Sequence, residues 1–237
     1  MPPDGLDLEI READVLRPTI RVLPSGTVQV TAPPGTHIPS LIEPNLAWIE
    51  RKRREIREIS RDREGQEGRI LLGGRFFRLE NGPSCGIRAE EGGITYTTPG
   101  DLKAFLKDRL RGSLLPRLEA HAIRMRVGFT GLSVREQRSR WASCSPAGRI
   151  SVNLRVLALP DDIRDYLVVH ELAHLLEPNH SRRYWRRVAE FFPDYRHAEE
   201  ELKRYWILLE RDSIWEVLGR VREPKGKERK EPPSGAP

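Results

Sequence analysis

Residues 170–180, with the sequence HELAHLLEPNH, restrict the fold of this chain more than any other segment. On an α-helix, His170 and His174 lie one turn apart on the same face, so their ring nitrogens can share one metal ion. The five residues after His174 leave room for the helix to end and for the chain to bring His180 back. Three protein ligands with one open position are typical of a catalytic zinc site. The segment therefore predicts a helix and a turn that hold Zn²⁺ between them.

Glu171 follows the first histidine, where its carboxylate could accept a proton from a zinc-bound water. The pattern H-E-x-x-H also arises by chance, and two histidines on an apolar helix face can be packed side chains with no ligand. The third histidine, at a usable spacing, makes coincidence a weaker explanation. If His180 points away from the metal, the alternative third ligands are Glu177, Glu190 and His197.

The positive charge of the chain is concentrated upstream of the histidines. The whole chain has 41 Lys and Arg against 35 Asp and Glu, a net charge of +6. Residues 101–155 alone have 12 Lys and Arg against 4 Asp and Glu, a net +8, so the remainder is slightly acidic. This basic region could attract nucleic acid, a nucleotide or an acidic protein. Solvated helix faces would give the same composition, and we favour that interpretation.

The sequence gives no indication of a membrane or of secretion. No apolar run approaches the length of a transmembrane helix. The N-terminus, MPPDGLDLEI, lacks the basic and apolar regions of a signal peptide. Cys85 and Cys144 are the two cysteines; they could form a disulfide, but two scattered cysteines fit a reducing compartment better. We therefore expect a cytoplasmic protein with no membrane partner.

The periodicity of apolar residues predicts an α+β chain with a β-rich beginning. Residues 7–32 alternate as strands, with a hairpin turn at 24–26. Residues 39–63 predict one long helix with an exposed charged face, and residues 69–98 return to short strands separated by glycines. We therefore expect residues 1–99 to form an N-terminal antiparallel β unit with a long helix.

A second domain of helices and a β-hairpin is predicted over residues 100–211. Its first helix covers 101–127, where Pro116 should kink or divide it. Residues 129–158 then predict strands with a turn at 145–148. This hairpin leads directly into the helix that carries the histidines.

The predicted domain ends with further helices. The histidine helix should begin after Pro160, because the acidic residues that follow complement the positive end of a helix. Two more helices are predicted between residues 181 and 211. Residues 212–237 form a C-terminal extension rich in Pro, Gly and charge, which should be largely disordered, although a short helix could persist over 214–218.

Several segments together resemble the YgjP-like metallopeptidase family. The likeness is carried by SRWASC at 139–144, the alternating strand 150–157, VVHELAHLLEPNHSRRYW at 168–185 and PDY at 193–195. The N-terminal strands, TAPPG and the helix around Trp48 are also similar, so the resemblance covers roughly residues 7–209; the WLM and SprT-like zinc metallopeptidases are more distant. Ala142 stands where the family usually has glycine, a mild departure unless that residue needs a positive φ.

The resemblance implies a zincin-like domain with a defined metal site. By resemblance, His170, His174 and His180 are the zinc ligands and Glu171 is the catalytic acid/base. We therefore expect a zinc-dependent metallohydrolase, in the first place a metallopeptidase that hydrolyses a peptide or protein substrate with a zinc-bound water activated by Glu171.

Two other functions stay open at this point. One is a metal-dependent nucleoside triphosphate pyrophosphatase, since metal, water and arginines would also suit a phosphoanhydride, and family members have been proposed to act on such nucleotides. The other is a protein-processing protease associated with DNA, for which the basic region 101–155 would be the contact surface, although the sequence has no DNA-binding motif.

Arg140, Ser143 and Asn179 are candidates for contact with the substrate. Arg140 could bind a carboxylate or phosphate, or it could anchor the hairpin to the histidine helix through a buried carboxylate; we favour the anchor, because most such polar groups are satisfied locally. Asn179 could instead turn or cap the chain.

Two further expectations concern the surroundings of the histidines. The side chains of Trp141, Tyr184 and Trp185 should belong to the core. The hairpin arm 150–157 could present an edge to which an extended substrate adds as a strand. A central position of this arm in a sheet would exclude that hypothesis.

Overall fold

The protein is represented by a computed structural model that describes residues 6–82, 87–137, 139–210 and 212–221. Within these residues, ten strands form three small sheets, and seven α-helices pack around them. The predicted α+β class is therefore confirmed. None of the described helices is both long enough and apolar enough to cross a membrane.

The first sheet packs against a long helix, as the periodicity predicts. The elements are β1 (Leu8–Glu12), β2 (Thr19–Val22), β3 (Val28–Ala32), α1 (Ile38–Ile42), a 3-10 turn (Glu43–Asn45) and α2 (Leu46–Arg61). The strand order is β1-β3-β2, so β2 lies at an edge. A small core joins sheet and helices through the buried side chains Val28, Val30, Ala32, Ile42 and Ile49.

The second sheet belongs to a different and larger core. Its strands are β4 (Arg69–Leu72), β5 (Arg75–Asn81), β6 (Arg88–Glu90) and β7 (Gly93–Tyr96), in the order β4-β5-β7-β6. Ile70 and Ile94 are buried together with side chains from the rest of the chain rather than with the first sheet. The domain boundary between residues 99 and 100 remains a prediction.

Two strand pairs in this N-terminal part are parallel, although the sequence predicts antiparallel pairing. β1 runs parallel to β3, and β5 runs parallel to β7. The alternation of apolar residues identifies the buried face of a strand but carries no information on the direction of its neighbour. The predicted hairpin between β2 and β3 is antiparallel and is confirmed.

A two-glycine turn connects the second sheet to the segment before the histidine helix. Gly73 and Gly74 join β4 to β5 with φ of 56° and 77°, which is the left-handed conformation that such a two-residue hairpin turn requires and that glycine adopts most readily. Their amides donate to the carbonyls of Leu157 and Ala158 at 2.9 and 2.8 Å. The turn therefore helps to position the chain where the histidine helix begins.

Gly74→Ala is expected to lower the free energy of unfolding by ~2–4 kcal/mol, measured by urea denaturation. A Cβ atom at Gly74 would meet the ring of Pro160 and the hydroxyl of Tyr205, each at 3.1 Å, in addition to the strain of a positive φ. Gly92→Ala is the matched control, because Gly92 also has a positive φ but a Cβ there meets no described atom within 4 Å. Equal losses in the two variants would contradict a specific contact at Gly74.

α3 (Pro99–Met125) is one helix that crosses the larger core. The sequence predicts that Pro116 kinks or divides it, and division is wrong because the helix continues through the proline. Leu110, Leu114 and Leu118 are buried on both sides of Pro116. We attribute the continuity to this packing, which offsets the backbone hydrogen bond that proline cannot make.

The third sheet precedes the histidine segment. Its strands are β8 (Gly131–Arg135), β9 (Ala142–Cys144) and β10 (Arg149–Asn153), in the order β8-β10-β9. The predicted turn between β9 and β10 is confirmed, with the amide of Gly148 donating to the carbonyl of Ser145 at 2.9 Å.

The arm 150–157 does not present the substrate edge that the sequence analysis suggests. β10 is central, with β8 on one side and β9 on the other, and the strand ends at Asn153, after which Leu154–Ala158 form a 3-10 helix. A central strand has no free backbone groups for a further strand, so the hypothesis is wrong. The edge position on this side belongs to β9.

Four helices complete the described chain: α4 (Asp161–Ala173), α5 (Arg182–Phe191), α6 (Tyr195–Glu210) and α7 (Ser213–Arg220). α7 bears out the short helix expected at 214–218, and it is held by burial of Trp215 and Leu218. Asp212 caps it by accepting the amide of Ile214 at 2.9 Å. Residues 222–237, predicted to be disordered, lie outside the described residues.

Candidate active site

Ion pairs at the start of α4 fix the helix that carries the predicted metal ligands. α4 begins at Asp161, directly after Pro160, as the sequence predicts. Arg117 of α3 lies 2.9 Å from the carboxylate of Asp161 and 2.8 Å from that of Asp165. The side chains on the remainder of α4 are mostly buried, so its last turn is held rigidly in the interior.

The three histidines converge. One ring nitrogen from each of His170, His174 and His180 lies within 4.8 Å of the others, and Nε2 of His180 is 3.2 Å from Nε2 of His170. Two ligands of a tetrahedral zinc ion, with bonds of about 2.0–2.1 Å, are ~3.3 Å apart, so these nitrogens fit Zn²⁺. A tight turn returns His180, in which the amide of Ser181 donates to the carbonyl of Asn179 at 2.6 Å.

The alternative third ligands do not join this group. Among the described residues, the three histidines are the one cluster of His, Cys, Asp or Glu whose ligand atoms come this close. Glu190 is instead paired with Arg187 at 3.1 Å on the surface. Glu177 and His197 contribute no atom to the cluster, so His180 is the third nitrogen that the fold supplies.

A tyrosine and a glutamate orient the first histidine. The hydroxyl of Tyr166 hydrogen-bonds both the carboxylate of Glu199 and, at 3.1 Å, Nδ1 of His170. Because the hydroxyl has one proton, which it donates to Glu199, its oxygen accepts from Nδ1–H of His170. Nε2 of His170 then carries the lone pair and faces His180. Hydrogen bonds of this kind behind a ligand fix its tautomer and ring orientation.

Tyr184 and Trp185 hold the histidines from α5. The hydroxyl of Tyr184 donates to the carbonyl of His170 at 2.9 Å, and its ring packs edge-on against His180 with centroids 4.6 Å apart. Trp185 stacks on His180 at 5.7 Å. Tyr184 is fully buried, which agrees with the predicted core role, but both aromatic rings also limit how the imidazoles can turn.

Burial favours the neutral form of His170 and His174. It lowers the pKa of His170 to about 3, and the neighbouring His174 and His180 act in the same direction. The pKa of His174 is also lowered by burial and by His180, although hydrogen bonds to the backbone of Pro178 and Glu177 oppose this. Neutral imidazole is the form that binds a metal ion, so His170 and His174 are in the binding form at neutral pH.

Glu171 is buried beside the histidines, with one carboxylate oxygen unused. The residue is 4% exposed, and its Oε2 atom makes no hydrogen bond with any described residue. Burial raises the pKa of Glu171 to about 8, and the positive charge of Arg140 opposes this. A buried carboxylate of this kind is suited to take up and return a proton near neutral pH.

A cleft of about 720 Å³ borders both His170 and Glu171. Its other walls come from β2, α2, α6 and the loop of residues 139–142. The N-terminal sheet therefore takes part in the site, although the sequence analysis found no catalytic signature in it. A cleft of this size can hold several side chains of a polypeptide or a small organic ligand.

Arg140 faces this cleft with an exposed side chain. Its guanidinium forms no close ion pair with any described residue, and the anchor through a buried carboxylate remains a prediction. Its backbone is held instead by Asn153, whose side-chain amide donates to the carbonyls of Arg140 and Gln137 at 3.0 and 2.7 Å. The charge of Arg140 acts on Glu171 and is available to a ligand.

The other two candidate substrate residues lie elsewhere. Ser143 pairs with Ser151 in the sheet, and Asn179 forms the turn before α5. Neither is among the described residues that line the cleft. Their substrate roles remain predictions, and for Asn179 the geometry agrees with the turn.

Tyr166 and Glu199 were not predicted from the sequence as part of the site. Tyr166 precedes His170 by one helical turn on the same face, so helical spacing could have identified it. Glu199 lies on α6, and its approach to α4 depends on tertiary packing that no local pattern records.

Comparison with known proteins identifies a family and a similar solved structure. A family model described as "YgjP-like, metallopeptidase domain" matches residues 16–205. A solved structure, described as the crystal structure of the metallopeptidase zymogen of Pyrococcus abyssi abylysin, is 26% identical over 38% of this chain and 90% of its own, with a TM-score of 0.36. No curated protein matches significantly.

Proposed function

The chain belongs to the YgjP-like metallopeptidase family, and we propose that it is a zinc-dependent peptidase in which Glu171 moves the proton. The observation that carries this proposal is the convergence of three histidine nitrogens within 4.8 Å, beside a buried glutamate. Three nitrogen ligands leave a zinc ion with one position for water or substrate, as in catalytic rather than structural sites.

When bound, zinc would supply a Lewis acid that polarises the peptide carbonyl and lowers the pKa of water. His170, His174 and His180 would hold it as neutral imidazoles. Glu171 takes the proton of the attacking water on its free oxygen Oε2 and delivers it to the leaving amine. The positive charge of Arg140 favours the ionised carboxylate that this first proton transfer requires.

An extended substrate fits the edge of β9 in this proposal. β9 lies at the edge of its sheet and packs beside α4, and Ala142 at its first position lines the cleft. Backbone groups on an edge strand can pair with a peptide added as a further strand. This arrangement replaces the arm 150–157 as the expected substrate edge.

Nucleic-acid contact through residues 101–155 has weaker support. Lys103 and Lys107 both pair with Glu136 at 2.9 and 3.0 Å, and Arg155 lies near Glu210 at 3.5 Å. Arg117 is engaged with α4, as described above. Several charges of the basic region are thus neutralised within the protein, which favours the interpretation as structural and solvated side chains.

The cytoplasm remains our proposal for the compartment, on the grounds of the sequence. Cys144 is a free thiol in the structure, and Cys85 lies outside the described residues.

The proposed activity is tested by measuring zinc content and then hydrolysis of casein and of UTP, with zinc and after its removal by a chelator. We expect stoichiometric zinc and casein cleavage that is lost on chelation and restored by zinc. Hydrolysis of UTP without cleavage of casein would replace the peptidase by the nucleotide pyrophosphatase. Absence of both activities from the zinc-loaded protein would refute the enzymatic proposal.

A further inference from the structure

The cleft beside Glu171 is lined mainly by apolar side chains. Three tryptophans from three different segments face it: Trp48 of α2, Trp141 of the loop before β9 and Trp206 of α6. Ile20 and Ile207 add to the same lining. Apolar surface of this extent, open to solvent and continuous with catalytic groups, is characteristic of a ligand site rather than of ordinary surface.

The aromatic wall on the catalytic side is rigid. Trp141 and Trp206 meet edge to face, with ring centroids 5.0 Å apart, and the guanidinium of Arg155 lies over Trp206 at 5.7 Å. Paired aromatic rings of this geometry resist reorientation. The wall is therefore formed before any ligand binds.

The opposite wall comes from the N-terminal unit and is tied to the catalytic part. Arg204 of α6 pairs with Asp62, next to the end of α2, at 2.7 Å, and Arg63 pairs with the buried Asp212 at 3.0 Å. These contacts tie α2, which carries Trp48, to α6, which carries Trp206. The width of the cleft is thus set by the fold.

We propose that this apolar cleft contains a subsite for one bulky apolar side chain of the substrate, aromatic or long aliphatic, next to the bond that is cleaved. The inference rests on the proposed peptidase function. His170 and Glu171 line the same cleft as the three tryptophans. A chain whose carbonyl reaches Glu171 therefore places a neighbouring side chain in the part of the cleft that the tryptophans line. The substrate class is then an unfolded or extended segment, since folded proteins bury such side chains.

Charged side chains of the substrate fit this subsite less well. Lys52 and Glu55 of the lining neutralise each other at 2.6 Å, and Lys203 is exposed. Among the cations that line the cleft, Arg140 is the one whose charge acts on the pKa of Glu171. An acidic side chain of the substrate is therefore the competing occupant that an experiment must exclude.

Three peptides test the subsite, identical and rich in Ala and Ser, except for a central Phe, Ala or Glu. Zinc-loaded full-length protein is incubated with each, and mass spectrometry locates cleavage on either side of the central residue. We expect kcat/KM for the Phe peptide to exceed that for the Ala peptide by at least ~30-fold, because apolar pockets discriminate by ~10–200-fold for small differences in apolar size.

Ile207→Trp, which adds bulk to one wall of the cleft, should lower kcat/KM for the Phe peptide at least ~10-fold and for the Ala peptide by a clearly smaller factor. Ile123→Trp is the matched control, because Ile123 is 80% exposed on α3 and is not among the described lining residues. Trp48→Ala, on the other wall, provides a second variant and should reduce the same preference without changing zinc content.

The outcomes separate the subsite from the activity itself. Equal cleavage of the Phe and Ala peptides, preference for the Glu peptide, or an equal loss for both peptides in Ile207→Trp would overturn the subsite while leaving the peptidase in place. If zinc-loaded wild type cleaves neither these peptides nor casein, the proposed function fails, and the subsite fails with it.

Discussion

Glu171→Gln is expected to lower kcat for peptide hydrolysis by ~10²–10⁴-fold, the range that a positioned acid/base group contributes. The amide keeps the size of the side chain but cannot accept the proton of the attacking water. Zinc content should stay unchanged, because the metal fits the three histidine nitrogens without Glu171. The measurement is the rate of casein cleavage at saturating substrate, together with zinc per chain.

The same variant should be more stable than wild type when both are metal-free and the pH is high. The folded pKa of Glu171 is raised to about 8 from 4.5 by burial. Because folding favours the protonated acid, its contribution is fully present below pH 4.5 and is lost as the pH rises through 8. Glutamine does not ionise, so Glu171→Gln should gain at least ~1 kcal/mol over wild type at pH 9, shrinking toward pH 4.5.

Glu200→Gln provides the control for both measurements, since Glu200 is exposed on α6. It should leave casein cleavage and the pH dependence of unfolding unchanged. A Glu171→Gln protein that retains wild-type kcat with full zinc would remove Glu171 from the proton path. A stability difference that does not vary with pH would show that the carboxyl does not titrate as its burial requires.

The convergence of the three histidines could be predicted from the sequence because it is local. His170 and His174 need only helical geometry, and His180 needs only a turn that five residues can make. Glu171 follows from the same helix. The acidic start of α4 could also be predicted, since it depends on the helix dipole. Each of these features is settled within a short stretch of chain.

The remainder of the site depends on segments that meet only in the folded protein. Glu199 reaches Tyr166 from another helix, and Trp48 reaches the cleft from the N-terminal unit. The central position of β10 and the exposure of Arg140 likewise follow from which strands and loops become neighbours. A periodic pattern specifies a buried face but not its partner, and for that reason the edge proposed for 150–157 was wrong.

His180→Ala is expected to weaken zinc binding by more than ~100-fold, because loss of a ligand should exceed the 10–100-fold effect of altering a group behind a ligand. His180 is the exposed member of the three histidines, so its loss opens no buried cavity and the variant should fold. Zinc affinity is measured by competition with a chromophoric chelator at pH 7.5. Casein cleavage at limiting zinc should fall in parallel.

His197→Ala distinguishes between the two histidines that could complete the site. His197 is exposed on α6 and contributes no atom to the cluster. Its substitution should therefore leave zinc affinity within about twofold of the wild-type value, which is less than the effect of a residue that only hydrogen-bonds a ligand. The opposite result, with affinity kept in His180→Ala and lost in His197→Ala, would move the third ligand from the turn after α4 to α6. If zinc affinity is lost in His180→Ala alone, the third ligand comes from the turn after α4. The 3.2 Å separation of the Nε2 atoms of His170 and His180 predicts this outcome.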